Sequence, residues 1–230
     1  MATYTAIIEY NEDAKAYFLR ANLYYSLGEE ENALSDYAKA VEHAGNDYEL
    51  YIGVYQALCA HDKEKDGQEY LKQALEIRGN ASYDKMQKGR INYFLGEHQT
   101  ALSLLEEAAN GKEKLAYYYL AEIYALMGDD ESSKSSMKAY MESGVADSYS
   151  LFSIANDELE KGNYDMAIEC LKAALELEKV PNKQVVMKTL VIAYEHKKDF
   201  ASAKEVMAKY IKEYPDDEEA KREFTFLETR

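Results

Sequence analysis

Proline is nearly absent from this chain: Pro181 and Pro215 are the only two in 230 residues. Long polyproline linkers are thereby excluded, and extended helices are left uninterrupted. No run approaches 18 uninterrupted apolar residues, so no membrane-spanning helix is expected. Basic residues are outnumbered, 27 Lys and Arg against 43 Asp and Glu, for a net charge of −16. Such a surface repels phosphate backbones and anionic lipid, which argues against nucleic acid and direct membrane insertion. It serves either as a solvated acidic coat or as an attraction for a basic partner. Cysteine is scarce too. Cys59 and Cys170 are far apart in the chain, so an internal disulfide is not expected and a reducing compartment is favoured.

Chemistry-bearing motifs are missing as well. The four histidines (His43, His61, His98, His196) never share i, i+4 spacing, and there is no CxxC. Neither GxGxxG, nor GxxxxGK[ST], nor a serine nucleophile elbow occurs. Asp62, Glu64, Asp66 and Gly67 resemble the opening of a calcium loop, but its twelfth position is Gln73 where a bidentate glutamate is needed. No catalytic residue, metal ligand or cofactor site is therefore assigned.

What the chain does carry is a phase. Ala33, Gly67, Ala101, Ser133, Ala167 and Ala203 are small residues at equivalent positions. Four residues later stand Tyr37, Leu71, Leu105, Met137, Leu171 and Met207. Seven residues later stand Ala40, Ala74, Ala108, Tyr140, Ala174 and Tyr210. Units beginning near residues 14, 48, 82, 114, 148 and 184 give a period close to 34, the mark of stacked helical hairpins. Gly28, Gly96, Gly128 and Gly162 fall where the first helix of a unit ends, a position suited to a left-handed residue.

This pattern resembles the tetratricopeptide repeat (TPR) family. Numbered from each unit's start, position 4 is Tyr17, Tyr51, Lys85, Tyr117, Leu151 and Met187, and position 8 is Ala21, Tyr55, Gly89, Ala121, Ala155 and Val191. Tyr24, Tyr124 and Tyr194 take position 11, and Pro215 takes position 32 of the last unit. The resemblance implies an all-α, right-handed α-solenoid: repeats at 14–47, 48–81, 82–113, 114–147, 148–183 and 184–215, a partial leading helix over 1–13, and a C-terminal capping helix over 216–230. Ala220, Phe224 and Leu227 share the capping helix's apolar face. Ala6 and Ile7 match positions 27 and 28 of a preceding unit, so the chain is expected to open inside a second helix; a native cap that echoes the repeat is the alternative. Lys85, Lys88 and Asn92 in the third unit, and Glu158 in the fifth, depart from the pattern and predict altered packing there.

In the family, the first helices line a concave groove through positions 2, 5, 9, 12 and 13. Carried onto this chain, the groove residues are Phe18, Asn22, Tyr25, Ile52, Gln56, Tyr83, Met86, Arg90, Tyr93, Tyr118, Tyr149, Phe152 and Asn156, with Lys15 and Lys188 as further cations. Rings supply contact area and amides bind a peptide backbone. A register error of one position would instead place several of these rings in the inter-helix core. The family's clamp for terminal carboxylates is matched only by Asn22 among five positions, with Phe18, Gly53, Tyr83 and Gln87 at the others. The expectation is a non-catalytic scaffold binding a neutral to basic protein or peptide. A self-associating module is the alternative, with a homo-oligomer as its product, and a small-ligand sensor or enzyme stands behind it. A cytoplasmic location is expected, with the cell envelope as the alternative.

Overall fold

The computed structural model describes all 230 residues as fourteen helices with no strand. They are α1 (Ala2–Asn11), α2 (Ala14–Ser26), α3 (Glu30–Glu42), α4 (Tyr48–Cys59), α5 (Glu64–Leu75), α6 (Ser82–Phe94), α7 (His98–Asn110), α8 (Ala116–Leu126), α9 (Asp130–Glu142), α10 (Ser148–Glu160), α11 (Tyr164–Glu176), α12 (Lys183–His196), α13 (Phe200–Glu213) and α14 (Glu218–Leu227). No helix is long and apolar enough to cross a membrane. The chain divides into two compact units, Met1–Met137 and Lys138–Arg230.

The period in small residues is the period of the core. Ala33, Ala101, Ala167 and Ala203 are fully buried, as are Ala40, Ala74, Ala108 and Ala174. Tyr37, Leu71, Leu105 and Leu171 between them are sealed from solvent, each worth about 1.5–3 kcal/mol of burial. Ser133 is the polar member of the set, and its hydroxyl donates to the Ala121 carbonyl of α8 at 2.9 Å. Where position 8 is large, position 20 compensates: a Cβ on Gly67 would stand 2.9 Å from the Tyr55 ring and 3.1 Å from its Cα. Gly67 thus serves a helix crossing, where a methyl group would cost about 1–3 kcal/mol of overpacking.

All six hairpin turns use a left-handed residue at position 15. Gly28, Gly96, Gly128 and Gly162 have φ between 76° and 80°, whereas Asp62 and Lys198 adopt φ of 60° and 61° without glycine's freedom. Polar departures from the pattern are satisfied close to home. Asn92 on α6 donates to the Lys88 carbonyl one turn back, at 2.7 Å. Glu158 on α10 receives Lys161 Nζ and Asn163 Nδ2, both at 2.8 Å.

In Met1–Met137, α1 rests on α2 through Ile8, while Thr5 accepts from Arg20 at 3.2 Å. The expected phase of α1 is thereby corrected. Ile8 takes the buried position, and Ala6 and Ile7 remain exposed. In Lys138–Arg230, Asp147 caps α10 by accepting from the Ser150 amide at 2.7 Å, and Cys170 on α11 is fully buried. Ala220, Phe224 and Leu227 of α14 pack into the cluster built by Met187, Val191, Met207 and Tyr210.

Candidate functional site

In Met1–Met137 the first helices of the hairpins are α2, α4, α6 and α8. Phe18 is half-buried, its ring 5.9 Å from that of Tyr37 and lying against the Gly53 backbone, where a Cβ would stand 3.3 Å from Phe18 Cζ. The Tyr37 hydroxyl donates to Asn22 Oδ1, leaving the Asn22 amide nitrogen uncommitted. Tyr25 is largely a packing residue. It stacks on His61 with centroids 3.9 Å apart, lies 5.8 Å from Tyr37, and buries its hydroxyl without a partner. Burial, ahead of the charge on Glu30, raises that phenol's pKa.

Three predicted groove residues are not open surface. Ile52 is 1% exposed and clusters with Tyr48, Tyr51, Tyr55 and Ile91; Met86 is 4% exposed among Ala101, Leu105 and Tyr119. Both are aliphatic chains at a position where Phe18 and Tyr118 stay half-exposed, and aromatic neighbours in the same clusters enclose them. Arg90 is 7% exposed and is spent inside the protein. Its Nε donates to the Tyr119 hydroxyl at 3.0 Å, and its Nη1 donates to Gln87 Oε1 at 2.9 Å and to Glu49. Glu49 and Tyr119 were not singled out from the sequence, and Gln87 only as a mismatch to the carboxylate clamp; their roles become visible once α4, α6 and α8 lie side by side.

Around this network the rings pack edge to face. Tyr93 lies 5.6 Å from Tyr119 and 5.5 Å from Phe94, and Tyr118 lies 4.9 Å from Tyr119. The Tyr93 hydroxyl points to Glu122 at 3.5 Å, and burial, followed by the Glu122 charge, pushes its pKa up to about 12. Gln56 and Tyr83 are exposed.

In Lys138–Arg230 the corresponding helices are α10 and α12. Tyr149 is 58% exposed, and Phe152 and Asn156 are half-buried. Lys188 pairs with Asp217 at 2.7 Å and lies 5.4 Å over the Tyr210 ring. Lys188, Val191, Ile192, Glu195, Met207, Glu219, Ala220 and Glu223 line a cleft of about 210 Å³. Within it Glu195 and Glu223 share the lining; burial first and then the neighbouring carboxyl raise the Glu195 pKa to about 7.

Each of three cations on these faces has a resident carboxylate beside it. Lys15 lies 3.7 Å from Asp47, Arg90 is held by Glu49, and Lys188 is held by Asp217. At enclosed Arg90 an incoming carboxylate would have to displace a resident one, whereas Lys15, with its side chain 74% exposed, keeps donors open. The exposed rings, amides and carboxylates suit apolar, hydrogen-bonding and cationic groups instead.

Family models described as tetratricopeptide repeat match residues 14–47 and 158–222. A search of curated proteins by sequence gives no match. Among solved structures, yeast Tom70 is similar at a TM-score of 0.56 and 17% identity, over 99% of this chain and 50% of that one. A tetratricopeptide repeat protein from Parabacteroides merdae is similar at 0.53 and 16%, over 84% and 75%. A chain of the APC/C hetero-tetramer Cut9–Hcn1 is similar at 0.53 and 14%, over 97% and 45%. The chain thus spans about half the length of Tom70 and less than half of the Cut9–Hcn1 chain. At these identities the likeness is one of fold.

Proposed function

As a tetratricopeptide repeat protein the chain is a protein-interaction scaffold, of a family that is in general non-catalytic, and from that premise we propose that its first-helix faces hold a peptide segment or partner helix of neutral to basic character. The observation carrying this reading is the state of the polar groups on α2, α4 and α6. Arg90 is neutralised internally by Glu49 and Lys15 has Asp47 beside it, while Gln56, Tyr83 and the Asn22 amide nitrogen stay available. Rings with exposed edges give contact area at low entropic cost, and free amides orient a backbone by hydrogen bonding. Phe18 and Tyr118 contribute their exposed edges, and in Lys138–Arg230 Tyr149, Phe152 and Asn156 offer the same combination. A net charge of −16 disfavours acidic partners and speeds the encounter with basic ones.

The test is selection of a displayed random peptide library on the intact chain, repeated on a Tyr83→Ala, Gln56→Ala double variant. Both residues are exposed, so far-UV circular dichroism should be unchanged while retention of selected peptides falls at least tenfold. Equal retention by both proteins would remove the first-helix face of α4 and α6 as the binding surface.

A further inference from the structure

The face of α4 and α6 has a feature that generic peptide holding does not require. Glu49 lies in the first turn of α4 with its side chain 55% exposed, yet one of its oxygens is anchored from beneath. Oε1 accepts from Gln87 Nε2 at 2.7 Å and from Arg90, and these two donors are 1% and 7% exposed. The donors are themselves fixed, to each other at 2.9 Å and, from Arg90, to Tyr119 at 3.0 Å. Glu49 Oε2 takes part in none of these bonds. Gln87 Nε2 also donates to the Tyr83 hydroxyl at 3.0 Å, so the carboxylate and the phenol flank one nitrogen. Tyr83 is 46% exposed and braced edge-on by Tyr48, with centroids 6.3 Å apart. The Tyr48 hydroxyl in turn reaches Asp84 at 3.3 Å.

We infer that Glu49 Oε2 and the Tyr83 ring form a receiving site for one lysine or arginine side chain of the peptide held on this face. The inference rests on the peptide-binding reading above and adds the class of side chain. Three arguments support a cation. An exposed carboxylate oxygen gives a charge-assisted hydrogen bond to an ammonium or guanidinium, and an adjacent exposed ring adds a cation–π contact. The carboxylate is already oriented by buried donors, so little ordering entropy is lost when the ligand arrives. Glu49 and, through Tyr48, Asp84 lie by the Tyr83 ring, within a chain of net charge −16. An anion has no such opening, because Arg90 is enclosed and its Nε and Nη1 are both engaged.

The experiment uses peptides selected from a displayed random dodecapeptide library on the wild-type chain. Lysine or arginine should be enriched at one position relative to the conserved apolar residues of the selected set. Replacing that lysine by norleucine, or replacing arginine by citrulline, should weaken binding about tenfold, the value of one charge-assisted contact. Glu49→Gln should cost the same factor and be insensitive to the norleucine change. Tyr83→Phe should bind as wild type does, and Tyr83→Ala should bind several-fold more weakly. Because the norleucine comparison is made on wild-type protein, a folding defect in Glu49→Gln cannot rescue the idea. Peptides that bind this face without a basic position, or whose lysine is replaceable at no cost, would overturn the inference and leave the peptide-binding reading standing. A library from which nothing is retained would overturn both.

Discussion

The two compact units handle carboxylates in the inter-helix space in opposite ways. In Met1–Met137 the answer is arginine. Arg20 forks onto Asp36 with bonds of 2.6 and 2.9 Å, and Arg90 reaches Glu49. In Lys138–Arg230 no arginine plays this part. Glu158 is held by Lys161 and Asn163 at the end of its own helix, and Glu195 on α12 meets another carboxylate, Glu223 of α14. A guanidinium stays charged at any pH a protein meets, so it is a permanent counter-charge to the carboxylate it holds. A second carboxylate forces the pair to share a proton, and its charge becomes a function of pH. One unit therefore sets guanidinium against its enclosed carboxylates, and the other uses lysine and, at Glu195, a second carboxylate, within the same repeat pattern.

The sharpest way to break the contrast is to remove an arginine. Arg20→Met keeps the aliphatic stem but strands Asp36, which is 3% exposed, so a loss of about 3 kcal/mol is expected in urea unfolding monitored by circular dichroism. A loss under 1 kcal/mol would mean that Asp36 finds water or takes up a proton without difficulty.

The next largest effect lies in the other unit and follows from the sign of one shift. The Glu195 pKa stands near 7 in the folded chain against an ordinary value of 4.5. The folded state thus holds a proton that the unfolded state releases. The resulting stabilisation is complete below about pH 4.5 and is lost as pH rises through 7. Between pH 5.5 and 8 the contribution should fall by about 1 kcal/mol, with solvent screening of this partly exposed pair taken into account. Hydrogen exchange of α14 amides should show the change, Glu223→Gln should reduce it, and Glu195→Gln should flatten it. A pH dependence that persists in that variant would assign it to other groups.

The smallest effect is a control on the contrast, since it should be alike in both units. Asp62→Gly and Lys198→Gly each relieve a left-handed backbone that four of the six hairpins already give to glycine. Each should raise stability by about 0.5–1 kcal/mol in thermal or urea unfolding.

The architecture was legible because it depends on residues a fixed distance apart in the chain. Ala33, Tyr37 and Ala40 recur by addition of about 34, and hairpin packing is local. The candidate site was legible only in part, because its contacts join different repeats. Glu49 and Arg90 are separated by 41 residues, and their pairing needs the offset between α4 and α6, which no period supplies. Ile52 and Met86 show the same limit. They occupy the family's inward-facing position, but enclosure depends on the rings that pack around them in the folded cluster. Asn92 and Glu158, by contrast, looked like packing defects in sequence and are satisfied within their own helix end.

The two thiols give the molecule a clock. One lies in each compact unit: Cys59 half-buried on α4, and Cys170 sealed on α11 with its pKa pushed up to about 12 by burial. Alkylating reagents attack the thiolate, so reaction at Cys170 under neutral conditions has to await an opening of its surroundings, whereas Cys59 stands nearer to solvent. Timed alkylation followed by peptide mass measurement would then report, in one unmodified chain, how often the surroundings of Cys170 open, with Cys59 as the internal reference for reagent access.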